Sequence, residues 1–148
     1  EDELYKGRIS YLLGENKDAI SYLEKAKEHK QMLASYYLGL AYDANGDSDK
    51  AKKCIAEYIK SGVATSYDLY ELGMQEMQDG NYKNALTYFN SGLELEKVPN
   101  KQNLMKSAIA AYEYSGDFDS AKKMMKEYLK AYPDDEEAKH ENTFLETR

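Results

Sequence analysis

The sequence lacks several residues and patterns that would indicate particular classes of protein. Its 148 residues include no tryptophan, two prolines and one cysteine, Cys54. One cysteine excludes an intrachain disulfide and a multi-cysteine metal site. No apolar run approaches the roughly 20 residues that a membrane span needs. The mean hydropathy is -0.82, and nothing resembles a signal peptide. We therefore expect neither a disulfide-stapled domain nor a membrane-spanning one.

Positive charge is also scarce. The chain has 20 basic and 27 acidic side chains, for a formal net charge of -7, and its two arginines are Arg8 and Arg148. The lysines are interspersed with acidic residues along the whole chain. An acidic surface without a basic patch repels a phosphate backbone. We therefore expect no nucleic-acid partner.

The composition bears on origin and compartment as well. Many lysines and 15 tyrosines beside two arginines are typical of proteins from AT-rich bacterial genomes, so we expect a bacterial protein. The chain begins at Glu1, and we expect a processed N-terminus. A leader, a lipid anchor or a further domain before residue 1 stays open. Cytoplasmic and extracytoplasmic locations stay open with it.

A fixed internal repeat runs through the chain. Four times a glycine is followed five residues later by an alanine, and successive glycines are 32, 34 and 36 residues apart. The pairs are Gly14 with Ala19, Gly46 with Ala51, Gly80 with Ala85, and Gly116 with Ala121. Each glycine lies between two helical apolar patterns, so it predicts a helix end, and the acidic or amide residue after it predicts the next helix start. The repeating unit is therefore helix, turn, helix.

The pattern resembles the tetratricopeptide repeat (TPR) family, whose signature is W-x2-L-G-x2-Y, then A-x3-F, then P, at a period of about 34 residues. The second unit matches best, with Leu38-Gly39, Tyr42, Ala51 and Ile55. The other units keep part of the signature, namely Gly7, Ala19 and Leu23 in the first, Leu72-Gly73, Ala85 and Phe89 in the third, and Tyr112, Ala121, Met125 and Pro133 in the fourth. In the fourth unit, Ala108-Ile109 replaces leucine-glycine.

The resemblance implies an all-α fold, a right-handed α-solenoid of stacked antiparallel helix pairs whose first helices line a concave groove. We expect one domain over 1–148, with repeats at about 1–30, 31–63, 65–98 and 100–133. A capping helix is expected over 134–147, docked by Phe144 and Leu145 with its charged remainder facing water. The first helix of a fifth repeat is the alternative interpretation of this last segment.

Successive residues of a helix are about 100° apart around its axis, so the signature residues that pack the repeats occupy one side of each first helix. The remaining side is free of signature residues, and we call it the inner face. It is rich in tyrosine, leucine and methionine and becomes polar in the fourth repeat. Tyrosine supplies contact area with a hydrogen-bonding tip, and methionine adapts to varied partners. We expect a partner to bind at Tyr5, Arg8, Tyr11, Tyr36, Tyr37, Leu40, Tyr67, Tyr70, Met74, Met77, Lys106 and Tyr114. Packing between neighbouring repeats explains the same stripe, and both interpretations stay open.

Two hypotheses for function follow. The first is a non-enzymatic scaffold that binds a protein or peptide segment with apolar or aromatic side chains. The alternative is a structural or self-assembly module of a larger secreted or lipid-anchored protein, with a homodimer as one form. A clamp for chaperone carboxylates is not expected, because only Arg8 is basic among the corresponding positions. We expect no cofactor, no metal and no catalytic residues, since no phosphate-binding loop or ligand cluster is present.

Overall fold

A computed structural model describes residues 2–148 of the chain. These residues form nine α-helices and no strand, so the prediction of an all-α repeat fold is confirmed. The helices are α1 (Asp2–Leu12), α2 (Asn16–Glu28), α3 (Met32–Ala44), α4 (Ser48–Lys60), α5 (Ser66–Gln78), α6 (Tyr82–Leu93), α7 (Lys101–Ser115), α8 (Phe118–Ala131) and α9 (Glu136–Leu145). None of these nine is long and apolar enough to cross a membrane.

Four helix pairs are each closed by a glycine turn at the position that the repeat predicts. Gly14, Gly46, Gly80 and Gly116 all have a φ between 76° and 88°, a left-handed conformation that favours glycine. In every turn the amide after the glycine donates to the carbonyl five residues earlier, as Asp117 N does to Tyr112 O at 2.9 Å. This bond is part of the Schellman motif, and it supplies a donor to a carbonyl that the ending helix leaves without one.

The acidic or amide residue after each glycine is the N-cap of the following helix, as predicted. Glu15, Asp47 and Asn81 hold that position before α2, α4 and α6 without a side-chain capping bond. Asp117 does cap α8, because its Oδ1 accepts from Ser120 N at 3.1 Å. The starts of these four second helices are therefore set mainly by the backbone turn, and among them a side chain caps only α8.

A second set of glycines lets the two helices of a pair approach closely. A Cβ at Gly73 would lie 2.3 Å from the ring of Phe89, and one at Gly39 would lie 2.6 Å from Ile55. Both distances are far below a van der Waals contact, so glycine is required if these large side chains are to stay in place. In the fourth repeat Ile109 takes the glycine position, and the corresponding residue of α8 is the flexible Met125.

The chain divides into two compact units, α1–α4 up to Ala64 and α5–α9 over Thr65–Arg148. The expectation of one domain stays a prediction. The core of the first unit includes Leu23, Leu38 and Cys54, all buried. Burial raises the pKa of the Cys54 thiol, which suits a small core residue rather than a nucleophile.

In the second unit, α7 and α9 pack against the helices before them in two different ways. Helix α7 packs directly against α5, and the buried Asn100 Nδ2 donates to Ser66 O at 3.2 Å where the two helices begin. Helix α9 packs against α8 instead. Over residues 2–148, no Cα atom of α9 lies within 8 Å of a Cα atom of α7. We call the first arrangement the closed step and the second the open step.

Candidate partner-binding site

In the first unit the predicted residues form an aromatic cluster with one cation. The Tyr36 and Tyr37 rings meet edge to face with centroids 5.2 Å apart, and Tyr36 also lies 5.2 Å from the buried ring of Tyr58. The Arg8 guanidinium lies over the Tyr37 ring at 4.9 Å. Such contacts hold planar groups in fixed positions. The cluster is half-buried, so it combines packing with surface, as both interpretations of the sequence allowed.

The other predicted residues of this unit differ in exposure. Tyr5 is 64% exposed, whereas Tyr11 and Leu40 are half-buried. Tyr11 packs against the core of the unit, and burial raises the pKa of its hydroxyl. Tyr5 therefore offers free contact area, and Tyr11 and Leu40 support the surface from below.

In the second unit α5 repeats this division between free and supporting side chains. Tyr67 is 56% exposed, while Tyr70, Met74 and Met77 are half-buried against the core of the closed step. The Ser107 hydroxyl lies 3.7 Å from Met74 Sδ and joins α7 to α5. The exposed tyrosine again stands beside side chains that are anchored from below.

On α7 the two predicted residues lie at opposite ends of the open step. Tyr114 is 69% exposed, and its ring stacks on Tyr82 at 5.5 Å. Lys106 Nζ pairs with Asp135 at 3.0 Å. The charge of Lys106 is therefore already paired within the protein, at a residue where the sequence predicts partner binding.

Asp135 connects the start of α9 to its neighbours. The Tyr128 hydroxyl donates to its carboxylate, the Ala138 backbone amide donates at 3.0 Å, and Lys106 pairs with it. These groups, Tyr128 first, lower the pKa of Asp135 to about 2. The carboxylate therefore stays charged at any physiological pH and fixes the N-terminal end of α9.

The C-terminal end of α9 is also held. Leu145 is fully buried in the core of the open step. The Arg148 guanidinium lies 4.2 Å from the Phe144 ring centroid, and Lys122 Nζ donates to Arg148 O at 2.6 Å. Helix α9 is thus attached at both ends while its middle stands away from α7.

A cavity of about 640 Å³ occupies the space left by the open step. Its walls come from three helices and include Ile109 of α7, Met125 of α8 and Phe144 of α9. Lys106 and Tyr114, both predicted inner-face residues, lie in the same lining. A volume of this size falls within the range of about 300–1,000 Å³ usual for ligand pockets.

Two acidic side chains face each other across this cavity, Glu113 from α7 and Glu141 from α9. Burial, followed by a hydrogen bond and repulsion from Glu141, raises the pKa of Glu113 to about 7. The expectation that the charged part of the last helix faces water is therefore wrong for Glu141. Glu141 lies on the same helix face as Ala138, three residues before it, and Leu145, four residues after it.

Sequence reasoning missed Glu113, Glu141 and Phe118 as cavity residues. The spacing of Glu141 from Ala138 and Leu145 was the signal that could have found one of them. Glu113 gave no such signal, because an acid between two tyrosines on a helix is usually solvated. Within residues 2–148, no group of three His, Cys, Asp or Glu side chains is placed to hold a metal ion.

Comparison with known proteins agrees with this geometry. A tetratricopeptide repeat family model matches residues 33–61 and 102–135. The fold is similar to a crystal structure from Podosopora anserina described as nearly identical TPR-like repeats of a kinesin light chain. The TM-score is 0.58 at 16% identity, over 97% of this chain and 83% of that chain, so this likeness shows the fold alone. No curated protein sequence matches significantly. The two matched segments are tetratricopeptide repeats, and the glycine turns and helix pairs continue the same repeat architecture through residues 2–148.

Proposed function

We propose that this chain is a non-enzymatic interaction module that binds a peptide or protein segment at the inner faces of its first helices. Tetratricopeptide repeats generally mediate contacts between proteins. The observation that carries the finer proposal is the exposure of Tyr5, Tyr67 and Tyr114, each more than half exposed on a first helix. Single exposed apolar residues are ordinary, but tyrosines repeated on one predicted face favour recognition.

The half-buried neighbours explain how such a face would hold its ligand. Tyr37, Tyr70 and Met74 are anchored in their cores, so they lose little conformational freedom when a partner covers them. Tyrosine and methionine accept apolar and aromatic side chains, and the tyrosine hydroxyl also bonds a peptide backbone. The ligand that fits is therefore a segment with apolar or aromatic side chains.

Selection of a random library tests this proposal directly. The full chain is used to select from a displayed library of 12-residue peptides, and the affinity of the selected peptides is measured by calorimetry. We expect selected peptides to be rich in apolar and aromatic residues. The triple variant Tyr5→Ala, Tyr67→Ala, Tyr114→Ala should lose at least tenfold in affinity, because each deleted ring removes contact area that only a ligand would bury.

The matched control removes exposed apolar side chains outside the inner face. Leu13→Ala with Val63→Ala does this, since both side chains are exposed and neither is a predicted site residue. This control should bind as the wild type does. Equal affinity of the triple variant and the control contradicts the proposal. Sedimentation in the absence of peptide tests the self-assembly alternative, which requires dimers or larger species at high protein concentration.

A further inference from the structure

The cavity of the open step has charged side chains at two ends. At one end Lys106 pairs with Asp135 and also faces Glu137. At the other end Glu113 faces Glu141. The two ends are about 10 Å apart along α7, seven residues at 1.5 Å each. Each end therefore carries more acidic than basic side chains, and among the residues that line the cavity only the end near Lys106 contains a cation.

The negative end has no basic neighbour of its own. Across residues 2–148, neither Glu113 nor Glu141 forms an ion pair with lysine, arginine or histidine. Two facing carboxyl groups in a partly buried place repel each other unless a proton or a cation lies between them. In the free protein Glu113 and Glu141 share a proton: burial first, and then the hydrogen bond and the repulsion from Glu141, raise the pKa of Glu113 to about 7.

The walls beside the acid pair suit the carbon chain of a long cationic residue. Tyr114, Phe118 and Phe144 bring aromatic rings to the lining, and Ile109 and Met125 give it an apolar floor. Guanidinium groups stack on aromatic faces, as Arg148 already does on Phe144 at the edge of this cavity. Arginine also presents parallel N–H donors that match carboxylate oxygens, so it fits two carboxylates better than lysine does.

We propose that this cavity receives an arginine side chain of the bound segment, whose guanidinium lies between Glu113 and Glu141. The inference rests on the proposed function, because it names what part of the segment enters at the fourth repeat. The occupant is chosen by charge complementarity between two unpaired acids and one cation. The arginine displaces the shared proton and pairs with both carboxylates.

Proton displacement makes binding depend on pH. The charged and titratable groups that face the acid pair are Lys106 and Tyr114 on α7, Tyr128 on α8, and Glu137 on α9. Burial and Glu141 raise the pKa of Glu113 to about 7, so we expect Glu113 to titrate between pH 6 and pH 8. Below about pH 7 the arginine must remove a proton, and above it the site is already charged. The affinity for arginine should rise about tenfold from pH 6 to pH 8.

A set of three capped dipeptides tests the inference on the full chain. Acetyl-Phe-Arg-amide is compared with its neutral isostere acetyl-Phe-citrulline-amide and with acetyl-Phe-Lys-amide, by titration of backbone amide signals in NMR spectra. We expect the arginine peptide to shift signals of α7 and α9 and to bind at least tenfold more tightly than the citrulline peptide at pH 8. The lysine peptide should lie between them.

Two variants locate the effect. Glu113→Gln should remove the preference for arginine and its dependence on pH, while Glu127→Gln, an exposed acid of α8 that does not line the cavity, should keep both at the same net charge. Equal binding of the arginine and citrulline peptides, or no shift in α7 and α9, overturns the inference. If library peptides still depend on Tyr5, Tyr67 and Tyr114, only this inference fails; if they do not, the proposed function fails as well.

Discussion

The closed step and the open step use opposite sides of the same helix. Towards α5, helix α7 presents Leu104, Ala108 and Ala111, which are all fully buried with Phe89 in one core. Towards α9 it presents larger and charged groups, among them Glu113. Small apolar residues allow helices to approach, and a long charged side chain prevents it. A few side chains on the facing surfaces therefore decide whether α7 packs directly against the next helix, and the repeat signature does not.

The largest effect is expected in the core of the closed step. Phe89→Ala removes a fully buried ring and leaves a cavity in the core that it shares with Ala85, Leu104 and Ala108. The free energy of unfolding should fall by about 3–5 kcal/mol. Urea unfolding followed by circular dichroism measures this loss. A loss under 1 kcal/mol would show that the closed step is less tightly packed than its burial indicates.

The glycine beneath that ring comes next. Gly73→Ala places a methyl group 2.3 Å from a ring carbon of Phe89, so one of the two helices must shift. We expect a loss of about 1–3 kcal/mol in the same unfolding measurement. In a Phe89→Leu background the added methyl should cost less, since the smaller side chain leaves room. Equal costs in the two backgrounds would mean that the ring is not what excludes the methyl.

In the open step, the free energy of unfolding should depend on pH, because Glu113 titrates at a different pH in the folded protein and in the unfolded chain. Glu113 holds its proton in the folded protein up to a pKa of about 7, but in the unfolded chain only up to about 4.5. The free energy of unfolding should therefore fall as pH rises from 4.5 to 7. Glu113→Gln should flatten this pH dependence and raise the free energy of unfolding at pH 8 by about 1–2 kcal/mol. This value is reduced from that of a fully buried group because Glu113 is partly exposed. Glu127→Gln serves as the control, and a parallel pH dependence in both variants would contradict the assignment.

The smallest change in stability is expected at the mouth of the cavity. Tyr114→Ala removes a ring that is 69% exposed and stacked only on Tyr82 at 5.5 Å. Thermal and urea unfolding should stay within about 0.5 kcal/mol of the wild type. Peptide binding should weaken in the same protein. Loss of stability without loss of binding would assign Tyr114 to packing and not to recognition.

The repeated architecture followed from the sequence because its signals are local. A glycine with a left-handed backbone and an N-cap residue after it, as at Gly116 and Asp117, fix a turn without reference to the rest of the fold. The ends of α1, α3, α5 and α7, and the starts of the helices that follow them, rest on these turns. The close approach at Gly39 and Gly73 likewise rests on one small residue of the first helix, a position that belongs to the repeat signature.

The site was less predictable, because it depends on contacts between repeats. The inner-face register includes Tyr67 and leaves out Leu69, and in the structure Tyr67 is exposed and Leu69 is fully buried. It did not reveal that Lys106 is engaged by Asp135, or that Glu113 faces Glu141, since those partners lie about 30 residues away in the sequence. Pairing of charges over such distances has no period and leaves no mark on helical periodicity.

The attachment of α9 at both ends has a thermodynamic consequence. Asp135 holds one end through Tyr128, Ala138 and Lys106, and the buried Leu145 holds the other. Both ends of α9 are therefore fixed by contacts within the protein, and the helix forms one wall of the cavity without the help of a ligand. The conformational entropy of ordering that wall is lost when the chain folds and not when a partner arrives. A side chain that enters the cavity beside α9 therefore meets a wall that is already ordered.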